Sequence, residues 1–302
     1  MLEPRQTARA AVQSGGRLMA APALTVTPAS RPAARVRLKP TLIAGIVIIG
    51  GFVILALLPG VFAPYSPTAF DYNAVLEAPS AKHLFGTDNF GRDMFSRVVW
   101  GAQVDMQIAL FTTLFPVIFG TLLGALIGYY GRWSDAIFGR VVDVVVTFPF
   151  LVLVIAIVAI LGPGLINMYI AVSAVGWITY ARLVRGEILT QKRAEYALAG
   201  RVMGYTASRI IFRHLLPNAI TPVIVYLMTD MALGILLGSS LGYLGLGAQP
   251  PTAEWGVLIA DGKNFMSTAW WIATYPGLAI TLAGVGFSLL GDGLADLLRP
   301  RG

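Results

Sequence analysis

Cysteine is absent from the 302-residue chain, and charged residues make up only 12% of it. Without cysteine the chain can form no disulfide, no thiolate nucleophile and no cysteine metal site. The charged fraction is about half of that usual in soluble domains, while apolar residues reach 56%. A composition so poor in charge and so rich in apolar residues is typical of a protein that lies in a lipid bilayer.

The apolar residues form unbroken runs of helical length and not short alternating segments. Each run is long enough, or nearly so, to cross about 30 Å of hydrocarbon at about 1.5 Å per residue. We therefore predict an all-α, multi-pass integral membrane protein with six transmembrane helices. The predicted spans are residues 41–58, 104–130, 139–161, 165–184, 218–241 and 271–290.

The distribution of lysine and arginine predicts the orientation in the membrane. Basic residues are dense before the first span and between the fourth and fifth spans, and they are sparse in the alternate loops. By the positive-inside rule, both termini are cytoplasmic. The outer segments are then 59–103 and 242–270, and the long cytoplasmic loop is 182–217. Orientation accounts for the net charge of +7 without a nucleic-acid partner, for which no motif is present.

The first 40 residues are rich in Ala, Pro and Arg and show no apolar period that could bury a core. We predict a disordered, basic cytoplasmic tail over 1–40 and a transmembrane domain over 41–302. A mitochondrial transit peptide is the alternative, because such peptides are also rich in arginine and poor in acidic residues. The proline content of the tail argues against the continuous amphipathic helix that this alternative needs.

Few residues could support catalysis or bind a metal. The two histidines, His83 and His214, fall on opposite predicted sides of the membrane, which excludes a His-based triad or a two-His metal site within one chain. The stretch 256–264 differs from a phosphate-binding loop in its spacing and has Asn264 where Ser or Thr is required. We predict that the chain is not an enzyme and holds no metal or cofactor.

Asp230 is the one ionisable residue near the middle of a predicted span. Such a group faces a translocation path or relays protons, or it is a hydrogen-bonded carboxyl that holds two helices together. The glycines at positions 120, 124 and 128 also have two interpretations. They mark a hinge of a gated pore, or they form a face on which helices pack closely.

The loop 182–217 is too polar to cross the membrane, yet its pattern is regular. An Ala-rich helix around 194–203 is interrupted at Gly204, and Thr206 or Ser208 is placed to cap a second short helix that ends at Pro217. A pair of surface helices suits docking to a protein. A basic amphipathic helix that binds anionic lipid would use the same residues.

The same loop resembles the EAA loop of binding-protein-dependent ABC permeases. The resemblance is carried by the stretches 195–204 and 214–218, with Leu198 in place of the family's Glu and Gly200 in place of its second Ala. In that family the loop docks into a cytoplasmic ATPase and transmits its nucleotide-driven motion. The resemblance implies a coupling role for Glu195, Ala199, Gly200, Gly204, His214, Leu216 and Pro217.

Two further regions narrow the resemblance to the C-type permeases of the dipeptide, oligopeptide and nickel group. The first is 84–102, which begins with the sequence LFGTDNFGRD, and the second comprises 244–256, 276–280 and 291–296. The similarity runs from about residue 41 to residue 299. In the first region, Thr87 or Asp88 is placed to cap a helix that begins near Gly91.

The resemblance implies a permease subunit of an ATP-driven importer of peptides in the bacterial plasma membrane. Its expected partners are a second, homologous permease chain, two ATPases that bind ATP and Mg²⁺, an external solute-binding protein and the lipid bilayer. Relatives with these signatures also carry nickel chelates, glutathione or opines. The competing hypotheses are a proton-coupled secondary transporter that uses Asp230 and an intramembrane enzyme, but no internal repeat and no catalytic cluster is evident.

Overall fold

A computed structural model describes residues 39–298. The predicted tail therefore lies outside the described residues, except for Lys39 and Pro40. In the described range the regular elements are helices, as predicted, apart from one isolated bridge between Thr87 and Asp93. In chain order they are α1 (Pro40–Leu57), α2 (Pro59–Phe62), α3 (Met94–Tyr130), α4 (Trp133–Val146), α5 (Phe150–Leu161), α6 (Leu165–Gln191), α7 (Glu195–Val202), α8 (Ala207–Arg209), a π-helical segment (Ile210–Leu215), α9 (Leu216–Tyr243), α10 (Trp255–Gly262), a 3₁₀ turn (Lys263–Phe265) and α11 (Trp271–Leu298).

Four continuous helices in the described range are long and apolar enough to cross a membrane: α1, α3, α11 and the run Ala207–Tyr243, which contains α9. The pair α4 and α5 makes a fifth span if its two bent halves cross together. Helix α6 has 27 residues and therefore the length of a span, but its C-terminal half carries Arg182, Arg185 and Glu187. The structure thus supports four to five apolar spans by length and composition.

The predicted third span is not one continuous helix. Its two halves, α4 and α5, meet at an angle of 84°, and the break covers residues 147–149. Pro149 explains the break, because it disfavours helical geometry at the preceding residue and cannot donate a backbone hydrogen bond within a helix. The Oγ1 atom of Thr147 donates to the carbonyl of Asp143 at 2.7 Å and satisfies one acceptor at the end of α4.

Helix α3 begins at Met94, ten residues before the predicted span. Its N-cap is Asp93, whose Oδ2 accepts from the amide of Ser96 at 2.7 Å, so the prediction of Thr87 or Asp88 as the cap is wrong. Asp88 instead closes the preceding turn, where its Oδ1 accepts from the amides of Phe90 and Arg92 at 2.9 Å. The carboxylate that caps a helix must lie next to its first turn, and Asp88 is too far upstream.

Close packing of α3 against α6 forms one side of the helix assembly. A Cβ atom on Gly124 would lie 2.9 Å from the Cα atom of Ala181, and one on Gly120 would lie 2.7 Å from the Cβ atom of Tyr180. Gly128 likewise approaches Ile188, at 3.0 Å. The interpretation of these glycines as a helix-packing face is therefore confirmed.

Candidate functional site

The first candidate site is the loop between α6 and α9. Helix α7 packs its Ala197 and Gly200 inward, where Ala197 joins an apolar cluster with Ile210, Ile211 and Leu215. These two positions are three residues apart and so share one face of the helix. The opposite face, which includes Glu195 and Ala199, is exposed. The loop is therefore a folded helical element held against the ends of α6 and α9, and not a flexible linker.

Gly204 ends α7 in the left-handed region, with φ of 76°. Its amide donates to the carbonyl of Arg201 at 3.0 Å, and the next amide, of Tyr205, reaches the carbonyl of Gly200 at 3.0 Å. Glycine adopts this conformation without the clash that a Cβ atom would bring. The predicted interruption at Gly204 and the predicted cap at Thr206 are both confirmed, since the Thr206 side chain accepts from the amide of Arg209.

The second helix of the loop does not end at Pro217, as the sequence suggested. It passes through the π-helical segment into α9, in which Pro217 occupies the second position. Proline has no amide hydrogen, and its ring would clash with the carbonyl four residues earlier. The wider π turn immediately before it accommodates proline without ending the helix. Pro217 is exposed, whereas Leu216 and His214 are half-buried.

Tyr205 links the two halves of the loop. Its ring stacks on the ring of His214 with centroids 5.6 Å apart, and the Arg209 guanidinium lies 4.0 Å from its ring centre. A second attachment reaches α3: the Nζ atom of Lys192 donates to the carbonyl of Gly128 at 2.8 Å. Burial and the nearby Arg201 and Arg193 lower the pKa of Lys192. The loop is thus attached to α3 as well as to its own flanking helices.

Apolar side chains project outward from α7. Val202 is 88% exposed, Met203 is 62% exposed and Leu198 is 46% exposed. Leu198 and Val202 are four residues apart and lie on one face. We call these three residues the α7 patch. Sequence analysis missed Val202 and Met203. The helical spacing of Val202, three residues after Ala199 and seven after Glu195, would have indicated that Val202 shares their exposed face.

The second candidate site is a cavity of about 440 Å³ between α3, α5, α6 and α9. Its polar lining comes from Asp230, Tyr226, Thr179 and Ser240, with Thr112 and Thr113 on α3. Asp230 lies at the middle of α9, and Thr112 and Thr179 lie near the middle of their helices. Leu233 and Leu236 on the rim are about half exposed, so the cavity is open on one side.

Asp230 is hydrogen-bonded across two helices. The hydroxyl of Tyr180 on α6 donates to its Oδ2 atom at 2.8 Å, and the Tyr180 ring packs edge-on against Tyr226 with centroids 5.1 Å apart. The carboxyl therefore joins α6 to α9, which agrees with its interpretation as a hydrogen-bonded group between two helices, and it also lines the cavity.

A buried ionic network holds the predicted outer segment 59–103. The Oδ2 atom of Asp88 accepts from Arg92 and from Arg97, each at 2.6 Å, and Arg97 also lies 3.4 Å from Asp261 on α10. His83 contributes a hydrogen bond to Asp93 at 2.9 Å. Because one aspartate bridges two arginines that reach α10, the segment is fixed to the helix assembly.

Helix α10 is anchored by two carboxylates. Glu254 caps it, with its side-chain oxygens accepting from the amides of Gly256 and Val257, while Asp105 accepts from the amide of Trp255 at 3.0 Å. Burial raises the pKa of Glu254, against the lowering effect of its two backbone hydrogen bonds. Within residues 39–298 no group of three acidic or histidine side chains is arranged to hold a metal ion.

Comparison with known proteins identifies the family of this chain. Residues 120–301 match the model of the family described as "Binding-protein-dependent transport system inner membrane component". The chain is 40% identical over 259 residues to the dipeptide transport system permease protein DppC of Alkalihalophilus pseudofirmus. This alignment covers 86% of the chain and 85% of that relative. The chain is 41% identical to the probable D,D-dipeptide transport system permease protein DdpC of Escherichia coli K12. This alignment covers 82% of the chain and 85% of that relative.

A third relative, the glutathione transport system permease protein GsiD of Pectobacterium atrosepticum, is 40% identical over 257 residues, with 83% of the chain and 85% of the relative covered. The resemblance found in the sequence is confirmed, and so are the predictions of a transport subunit that is not an enzyme and of location in the inner membrane. The chain belongs to the family of binding-protein-dependent transport system inner membrane components.

Proposed function

We propose that this chain is the permease subunit of an importer for small peptides, with dipeptides and glutathione as its candidate solutes. The observation that carries the proposal is the identity of 40–41% with relatives named as dipeptide, D,D-dipeptide and glutathione permeases, each aligned over more than four fifths of the chain. In this role the chain forms half of the path, and an external binding protein delivers the solute. The second half belongs to a homologous permease chain.

We also propose six spans with both termini cytoplasmic, which makes α6 and the bent pair of α4 and α5 full crossings. Helix α6 has 27 residues, or about 40 Å of helix, and it packs along α3. Arg182 and Arg185 lie at the end of α6 that leads into the loop with α7, in agreement with the positive-inside rule. On this topology the tail 1–40 is cytoplasmic.

The loop with α7 is proposed as the contact with the ATPase. It is helical, attached to α3 through Lys192, and it presents the apolar α7 patch. An exposed group of large apolar residues favours a protein interface. The resemblance assigns coupling to Glu195, Ala199, Gly200, Gly204, His214, Leu216 and Pro217, of which Gly200 and Gly204 shape the loop and Glu195 and Ala199 face outward. ATP and Mg²⁺ would bind to the partner ATPases.

The absence of cysteine allows a direct test of the sides on which the α7 loop and the proposed outer segment lie. In the cysteine-free chain, Val202→Cys should react with an impermeant maleimide only from the cytoplasmic side, and Val61→Cys only from the outer side. Both side chains are exposed, at 88% and 74%, so exposure itself does not favour either one. The six-span topology places three crossings between these two residues and therefore puts them on opposite sides. Reaction of both cysteines from the same side would contradict it.

The substrate is tested with the complete importer in proteoliposomes. We expect ATP-dependent uptake of dialanine or reduced glutathione when the binding protein is present, and no uptake when it is omitted. Uptake of neither solute, with another solute carried in its place, would refute the peptide assignment while leaving the family assignment intact.

A further inference from the structure

We propose that Asp230 binds the ammonium group of the solute as it passes through the cavity. The inference rests on the proposed function, because it concerns a peptide-like solute on its way through this chain. The recognised part of the solute is its ammonium group, and the atom that binds it is the Oδ1 oxygen of Asp230.

An ionised Asp230 would have no counterion in the described part of the chain. Its side chain is the only acidic or basic one among the residues that line the cavity within 39–298, and it takes part in no ion pair there. A carboxylate near the middle of a membrane is costly unless a cation or a proton compensates it. A cation carried by the solute would provide this compensation at the moment of passage.

The geometry leaves one carboxylate oxygen available. Tyr180 donates to Oδ2 at 2.8 Å and fixes the orientation of the carboxylate, whereas Oδ1 accepts no hydrogen bond from the described residues. Tyr180 is buried, and its ring is held against Tyr226. The free oxygen is therefore held in place before a ligand arrives, which lowers the entropy lost on binding.

The surroundings of Asp230 suit an ammonium group. The hydroxyls of Thr112 and Thr113 donate to carbonyls of their own helix, at 2.7 and 2.8 Å, so their lone pairs remain available as acceptors towards the cavity. An ammonium group carries three donors and no acceptor. The Tyr226 ring, which also lines the cavity, would attract the same charge through its face.

The proposed solutes share this group. A dipeptide has one free α-ammonium, and glutathione has one on its γ-glutamyl residue, and most α-amino groups remain protonated near pH 7 because their pKa is about 7.7–8. The two solutes also share a C-terminal carboxylate, but they differ in length and side chains. A single carboxylate in a path with mostly apolar walls would accept both and would place the amino end of each at the same depth.

The test compares solutes with and without the ammonium group in the complete importer. Uptake of dialanine and of N-acetyl-dialanine is measured in proteoliposomes, each normalised to the occupancy of the binding protein, with reduced glutathione as a third solute. The variants are Asp230→Asn, which keeps the shape and the acceptor for Tyr180, and Asp230→Glu, which keeps the charge. Asp143→Asn is the matched control, because this exposed carboxylate of α4 lies outside the cavity.

We expect Asp230→Asn to lower the uptake of dialanine and glutathione by about tenfold, the size of a lost hydrogen bond to a charged group, and to lower the preference for dialanine over N-acetyl-dialanine equally. Asp230→Glu should retain most of the preference, and Asp143→Asn should match wild type. If Asp230→Asn lowers the uptake of all three solutes alike, or changes the uptake of none, the inference is wrong while the importer assignment stands. If wild type carries none of the three with ATP, the proposed function fails, and this inference fails with it.

Discussion

The α7 patch gives the most specific prediction for the contact with the ATPase. We consider the double variant Val202→Ser and Met203→Ser, which removes two apolar side chains that are 88% and 62% exposed in the isolated chain. Neither residue belongs to the apolar cluster beneath α7, which contains Ala197 and Ile210. The variant should therefore fold normally, and its effect should appear only in the assembled importer.

The size of the effect follows from the exposed area. Fully burying a valine or methionine contributes about 1.5–3 kcal/mol, so burying the exposed parts of both against the ATPase would contribute about 2–4 kcal/mol. Even half of this amount weakens the association by about five- to thirtyfold. We expect the double variant to lose ATPase subunits during purification and to lower ATP-driven uptake accordingly.

The assay is the affinity of the purified ATPase for permease complexes in nanodiscs, with uptake measured in parallel. Val61→Ser is the matched control, since Val61 is 74% exposed but lies in the proposed outer segment. If the double variant binds the ATPase as tightly as wild type and the control, the α7 patch is not the docking surface. In that case the basic residues of the loop, acting on anionic lipid, become the better explanation of this segment.

Two further predictions concern glycines and are tested by thermal unfolding in detergent. Gly124→Ala should destabilise the chain by about 1–3 kcal/mol, because its Cβ atom would press on Ala181 across the interface of α3 and α6. Gly50→Ala is the control and should be neutral or stabilising, because the space around Gly50 is open. Gly204→Ala should cost about 1–2 kcal/mol, since φ is 76°. Gly200→Ala should be neutral or slightly stabilising, because its Cβ atom would lie 3.4 Å from Tyr205, an ordinary contact.

The sequence predicted the features that depend on local composition. The apolar runs located the cores of the long helices. The cap at Thr206 and the interruption at Gly204 were also predictable, because each depends on one residue and its immediate neighbours. The glycine face of α3 was predictable from its spacing, although its partner helix was not.

Features that depend on distant residues were not predictable. The bend between α4 and α5 is an exception, because its cause, Pro149, is local. The prediction missed it by treating the apolar residues on both sides of this proline as one span. The hydrogen bond between Tyr180 and Asp230 joins residues 50 positions apart, and no local pattern indicates such a pair. The continuation of the loop into α9 past Pro217 depends on a π-helical segment, and sequence rules treat a proline there as a stop.

The central claim is that this chain transports a solute only with energy supplied by another polypeptide. The most direct measurement compares uptake by proteoliposomes that contain the complete importer and ATP with uptake by vesicles from which only the ATPase subunits have been removed. We predict that removal of the ATPase abolishes uptake, even when a proton gradient is imposed across the membrane. Uptake that persists without the ATPase and follows the proton gradient would contradict the claim and would identify the chain as a secondary transporter.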